Sequence, residues 1–265
     1  ERRVEADVDG GVIMGNVIAV TIQKGGVGKS TTTHEIGANL ADMGYKVLLA
    51  DLDPQQNLSR MAGADFEAVS VYDVLTGDVA AQDAIQSVSG LDIIIADKQL
   101  KRADRDFSGE DDIYRLAAAL LSVKDRYDFI VIDTPPSLGI LPSMALCAAD
   151  FCLIPCEATS NGIQGLGQLA ENIQEIREQH NPDLKTLGIV LTQYTWRTIF
   201  NRVMKDQIQE LAAGMETKVL EASIRSAVVV QEAQGFGQSL VEYAPKSKPA
   251  QDYRALTEEI LKEMN

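Results

Sequence analysis

Cysteine is scarce in this chain. Cys147, Cys152 and Cys156 are the only three, an odd number that makes no disulfide framework and suits a reducing compartment. No histidine stands near them and no paired C-x-x-C unit occurs, so they read as core thiols rather than metal ligands. Long hydrophobic runs are missing too. Val47 to Ala50 and Leu91 to Ala96 stop after a few residues, whereas a spanning helix needs about 20 apolar positions. No basic segment followed by an apolar stretch opens the chain, so no secretory signal is expected. Met14 reads as the natural start, which makes residues 1–13 a leader or tag and residues 14–265 one domain. A soluble, cytoplasmic protein is the expectation.

Positive charge is also in short supply. Lys and Arg number 24 against 39 Asp and Glu, for a net charge of −15. A whole-molecule field of that sign repels nucleic acid, and any contact with phosphates has to come from a local cluster. Arg197, Arg202 and Lys205 in one stretch, and Arg225, Lys246, Lys248 and Arg254 further on, are the candidates. Solvated helix faces explain the same residues. Internal repeats and low-complexity segments are absent.

What is present is alternation. Short apolar, β-branched runs recur at Val17 to Ile22, Val47 to Ala50, Leu91 to Ala96, Phe129 to Ile132, Phe151 to Ile154 and Leu187 to Leu191. Helical spacing fills the gaps at Thr31 to Met43, Asp112 to Val123 and Ile163 to Gln179. The acidic stretch Asp104 to Asp112 reads as an exposed loop or helix start. Strand, helix, strand in this order predicts an α/β fold with a mostly parallel, twisted sheet and helices on both faces. Ligands of such sheets collect at the carboxyl ends of the strands.

Three motifs stand at such ends. The run Lys24-Gly25-Gly26-Val27-Gly28-Lys29-Ser30-Thr31 follows the first strand and opens a helix. Glycines let the backbone wrap a phosphate, the helix N-terminus attracts it, Lys29 reaches its β and γ oxygens and Ser30 ligates Mg²⁺. The usual phosphate loop has glycine where Gln23 stands, so the ordinary pattern fails by one position. The second motif is Asp51-Leu52-Asp53-Pro54 and the third Asp133-Thr134-Pro135-Pro136, each setting carboxylates at a strand end. Asp133 suits Mg²⁺ held through water.

The combination K-G-G-V-G-K-S-T resembles the deviant Walker A motif of the ParA/MinD superfamily of P-loop NTPases. Val47 to Gln55 looks like its switch I and Phe129 to Pro136 like its Walker B strand and switch II. The likeness runs on through Ser137-Leu138-Gly139, Leu153-Ile154-Pro155, Gly162 to Leu169 and Glu232-Ala233, nearly the whole chain from residue 16. Partition ATPases of the ParA type are the nearest look-alikes.

The resemblance implies ATP and ADP as nucleotides, Mg²⁺ as metal and a sandwich dimer formed in the ATP state. It implies Lys24, Lys29 and Asp53 as catalytic residues, with Lys24 reaching across the dimer and Asp53 both orienting the attacking water and joining Ser30 and Asp133 as a metal residue. Asp51 is either a second catalytic acid or a strand-end acid that shapes the metal shell. The implied partners are non-specific DNA, bound through Arg197, Arg202, Lys205 and Arg225, and a ParB-like activator that stimulates slow hydrolysis on the nucleoid. Ala227 and Val229 stand where other members carry arginines, which weakens the DNA expectation. MinD relatives end in a basic amphipathic membrane helix, whereas Asp252 to Asn265 is acidic on its polar face and anionic lipid would repel it. The three cysteines do not match the cluster ligands of nitrogenase iron proteins. Two rivals to plasmid or chromosome partition are a positioner of protein cargo or regulatory switch with little DNA binding, and an ATP-dependent ligase of the same fold.

Overall fold

Strands rich in Val, Ile and Leu with no polar alternation are built to be covered on both faces. In the computed structural model, which describes residues 15–195 and 199–264, they form one sheet. The strands are β1 (Asn16–Val20), β2 (Val47–Asp51), β3 (Gln86–Val88), β4 (Leu91–Ile94), β5 (Phe129–Asp133), β6 (Phe151–Glu157), β7 (Lys185–Thr192) and β8 (Val219–Ser223). Their order is β3-β4-β2-β5-β1-β6-β7-β8. Only the β3–β4 pair is antiparallel, and the remaining pairs are parallel. The leader expected over residues 1–13, and Arg197, lie outside the described residues.

Alternate residues of each central strand feed two cores. Val17 and Ala19 of β1 join one apolar cluster, Ile18 and Val20 the other. The helices that cover them are α1 (Lys29–Asp42), α2 (Asn57–Met61), α3 (Val71–Thr76), α4 (Ala103–Asp106), α5 (Arg115–Leu121), α6 (Ile140–Ala148), α7 (Ser160–Gln179), α8 (Ile199–Gly214), α9 (Val228–Gly235), α10 (Leu240–Tyr243) and α11 (Lys248–Glu263). None of the helices among the described residues is long and apolar enough to cross a membrane. The apolar stripe of α11, with Tyr253, Leu256 and Ile260 buried, packs on β8 and α1.

Two details depart from the sequence reading. The helix expected over Asp112 to Val123 starts as a 3₁₀ turn at Glu110–Tyr114 and is α-helical only over Arg115–Leu121, because Asp112 turns back to accept the Gly109 N–H and tightens that start. The strand expected over Phe151 to Ile154 runs on to Glu157 and so takes in Cys156 as well as Cys152, and all three cysteines are free.

The order of strands positions the site. β1 lies between β5 and β6, and the chain leaves it through α1 to reach β2 on the far side of β5. The direction of winding changes at β1, and a crevice opens above its carboxyl end.

Candidate functional site

The loop leaving β1 is shaped by two glycines in the left-handed region, Gly26 (φ 80°) and Gly28 (φ 84°), where a Cβ is disfavoured. A Cβ built on Gly25, Gly26 or Gly28 would meet no atom within 4 Å, so the space above the loop is open to a ligand that approaches the backbone. Val27 sends its side chain into the core, and its share in binding is its backbone. Gly28 caps α1 without a side-chain partner, and the first turn of α1 holds no acid. The free N–H groups and the helix dipole there favour an anion.

Strand register brings the acids to this point. Asp51 ends β2 and Asp133 ends β5 as direct neighbours, and Val20 of β1 pairs with Asp133 on its other side. The two carboxylates have different surroundings. Asp51 is satisfied internally: its oxygens accept from the Asp53 N–H at 3.0 Å, the Ser59 N–H at 2.9 Å and the Ser59 hydroxyl at 2.6 Å. Ser59 Oγ in turn accepts from the Ala96 N–H. Asp51 thus pins α2 and the segment carrying Asp53. Asp133 is fully buried, and neither of its oxygens has a hydrogen-bond partner of ordinary geometry among the described residues.

Burial pushes the Asp133 carboxyl well above the usual carboxylate range, and the neighbouring Asp51 pushes the same way, while the Ser30 hydroxyl and Lys29 pull it back. Burial likewise raises Asp51 to about 6 against the hydrogen bonds from Ser59 and Asp53. Desolvation lowers Lys29, whose ammonium donates to the Lys24 carbonyl at 2.8 Å, although Asp133 and Asp53 draw it upward. Lys29 is the cation of this cluster, yet its ammonium bonds to the Lys24 carbonyl and leaves Asp133 without a bonded cation among the described residues. An unpartnered buried carboxylate beside the Ser30 hydroxyl fits a hard divalent cation that keeps most of its own waters. Asp53 is 5% exposed, and its Oδ1 accepts from the Gln55 N–H at 2.9 Å.

A family model described as an AAA domain matches residues 15–186. The sporulation initiation inhibitor protein Soj of Bacillus subtilis is 39% identical over 256 residues, 93% of this chain and 98% of its own. The chain belongs to the ParA/MinD superfamily of P-loop ATPases. The chromosome partitioning protein ParA of Myxococcus xanthus is 33% identical, with 96% of this chain and 90% of that one covered. Among solved structures, a cobyrinic acid a,c-diamide synthase from Mycobacterium smegmatis with bound ADP and magnesium superimposes with a TM-score of 0.81 at 34% identity, covering 95% of this chain and 96% of that one.

The other residues singled out from the sequence fall in different places. Lys24, near the phosphate loop's start, donates to Glu157 Oε2 at 2.9 Å and to Thr159 Oγ1 at 3.2 Å. Thr31 Oγ1 accepts from Gln234 Nε2 at 2.8 Å. Arg225 is held by α11: its Nε and Nη2 donate to the two oxygens of Asp252 at 2.6 and 2.7 Å. Arg202 is exposed on α8, and Lys205, one turn on, is half-buried.

Beside the phosphate loop lies a cavity of about 280 Å³, lined by Thr31, Thr192, Gln193, Ala227 and Gln234 among others. Thr192 Oγ1 is buried there without a hydrogen-bond partner among the described residues. Glu157, Thr192, Gln193 and Gln234 escaped the sequence reading. They enter the site through contacts spanning 133 residues for Glu157 and Lys24, and 167 for Gln193 and Gly26, and no local pattern marks them.

Proposed function

We propose that this chain is an ATP-hydrolysing, nucleotide-switched dimer of the ParA kind that partitions DNA. The observation that supports the reading most is the convergence of the open glycine loop, Lys29, Ser30 and the unpartnered Asp133 carboxylate, in a chain that matches Soj nearly end to end. Backbone N–H groups at the start of α1 and the Lys29 ammonium hold the β and γ phosphates of ATP. Ser30 and, through water, Asp133 hold Mg²⁺, which when bound neutralises charge on those phosphates. Asp53, carried on the segment that Asp51 pins, orients the attacking water. The cavity beside the loop takes the base and ribose, where Thr192 and Gln234 offer polar groups.

Lys24 is the cation that crosses to the partner's phosphates, and its charge there makes dimerisation depend on the γ-phosphate, as an arginine finger does. The ATP dimer binds DNA without sequence preference through Arg202, Lys205 and Arg225, with Arg197 in the same stretch, and a ParB-like activator triggers hydrolysis and release. The work is done in the cytoplasm, on the nucleoid.

One observation favours the protein-cargo reading as the second choice. Arg225 is already neutralised by Asp252, and the chain carries a net charge of −15. An ATP-dependent, salt-sensitive shift of non-specific DNA supports partition. Its complete absence at low salt refutes it and favours protein cargo. A turnover raised by a small-molecule carboxylic acid would instead indicate a ligase; the Mycobacterium smegmatis protein is named a cobyrinic acid a,c-diamide synthase.

A further inference from the structure

Four polar groups around the phosphate loop form one continuous chain. Lys24 donates to Glu157 Oε2. The other oxygen of Glu157 accepts from Gln193 Nε2 at 2.9 Å, and the same nitrogen donates to the Gly26 carbonyl at 2.7 Å. Both acceptors are oxygens, so only the amide orientation with nitrogen facing them satisfies the pair, and both amide hydrogens are spent. Gln193 stands just past β7 at φ 52°, a left-handed conformation that residues with a Cβ seldom adopt. Backbone held there by its surroundings points to a constrained role.

The geometry also explains why this residue rather than another makes the link. β1, β6 and β7 are neighbours in the sheet, so the phosphate loop, the β6–α7 turn with Glu157 and the end of β7 meet at one edge of the crevice. Gln193 touches the first two segments and also lines the cavity beside the loop.

We infer that Gln193 is a positioning residue: it aims the Glu157 carboxylate at Lys24 and ties that grip to the shape of the loop at Gly26. Lys24 is then freed for the partner subunit when ATP, through its γ-phosphate, breaks the contact between Gln193 and Gly26, which ADP leaves intact. The inference rests on the reading of Lys24 as the cation that crosses the dimer.

Gln193→Gly is the informative variant, because glycine accepts the left-handed backbone while losing the amide. Relief of the left-handed strain opposes the loss of the two amide hydrogen bonds, so its thermal midpoint should stay close to that of the parent and any change in assembly is not misfolding. Light scattering with a non-hydrolysable ATP analogue gives the analogue concentration at half dimerisation, and ADP titration gives the monomer's nucleotide affinity. Gln193→Gly and Glu157→Gln should each lower the half-dimerisation concentration by about two- to tenfold, the worth of one hydrogen bond, with ADP affinity unchanged. The double variant should go no further than Glu157→Gln alone, since one residue acts through the other.

A Gln193→Gly protein that assembles like the parent while Glu157→Gln shifts would overturn the role of Gln193 and leave that of Lys24 standing. An equal change in ADP affinity would place Gln193 in ligand binding and overturn the relay. If Lys24→Ala dimerises as readily as the parent, the reading of Lys24 fails and the inference falls with it.

Discussion

Asp51 and Asp133 lie side by side at the ends of β2 and β5, and what separates them is the supply of donors. Asp51 has three and Asp133 has none of ordinary geometry among the described residues. The first is therefore scaffold and the second is open to a metal. Asp133→Asn should keep the fold and lose the Mg²⁺ dependence of nucleotide affinity, measured by titration with and without the metal. Ser59→Ala removes the hydroxyl that Asp51 accepts in the core and should cost about 1–3 kcal/mol, the penalty for leaving a buried acceptor short of a donor, measured by urea denaturation.

On α1, His34 Nδ1 sits 3.9 Å from Glu35 Oε1, yet the two do not pair as ions at neutral pH. Burial drops His34 to about 4 and lifts Glu35 to about 8, where the Leu240 N–H donates to both of its oxygens. Below its folded pKa, Glu35 holds a proton that the unfolded chain releases near 4.5, so its contribution to stability is lost as pH rises toward about 8. His34 acts oppositely between about 4 and 6.5, because the unfolded imidazole binds the proton first. The two offset each other in mild acid, and Glu35 acts alone above pH 6.5. Glu35→Gln keeps an acceptor for Leu240 and should flatten the fall in melting temperature between pH 6.5 and 8, seen by calorimetry in matched buffers.

At the scale of elements, the central strands were legible because each is a buried apolar run with a polar residue only at one end, as in β1, β2 and β5. The outer strands were not. β3 is three residues long with a polar middle, and β8 carries Glu221 outward, so neither shows a buried run. The phosphate loop was readable because close backbone approach demands glycine at fixed spacing. The ring of partners around it was not, since Glu157, Gln193 and Gln234 act through contacts that only the fold creates. Arg225 was read as a DNA contact, and its bidentate hold on Asp252 of α11 could not be seen from either segment alone. Asp252→Asn should release Arg225 and steepen the salt dependence of DNA binding by about one counterion, measured by shift assays at several salt concentrations. An unchanged slope would take Arg225 out of the DNA surface.

The whole molecule presents an acidic surface with a few localised cations, and its proposed output depends on bringing two copies together around nucleotide. In the structure, Lys24 is turned inward to Glu157 with both side chains about one-fifth exposed. On the proposed reading, assembly exchanges this intramolecular ion pair for a contact with the partner's phosphates. A γ-phosphate makes that exchange favourable, and ADP lacks it. Loss of Lys29 should abolish nucleotide binding, whereas Lys24→Ala should bind ATP and stay monomeric, both followed by calorimetric titration and sizing. The most direct test is size-exclusion chromatography with light scattering on Asp53→Ala, in which hydrolysis should be blocked, with Mg²⁺ and either ATP or ADP. A dimer with ATP and a monomer with ADP is the predicted result; one mass with both nucleotides would contradict a nucleotide-switched dimer.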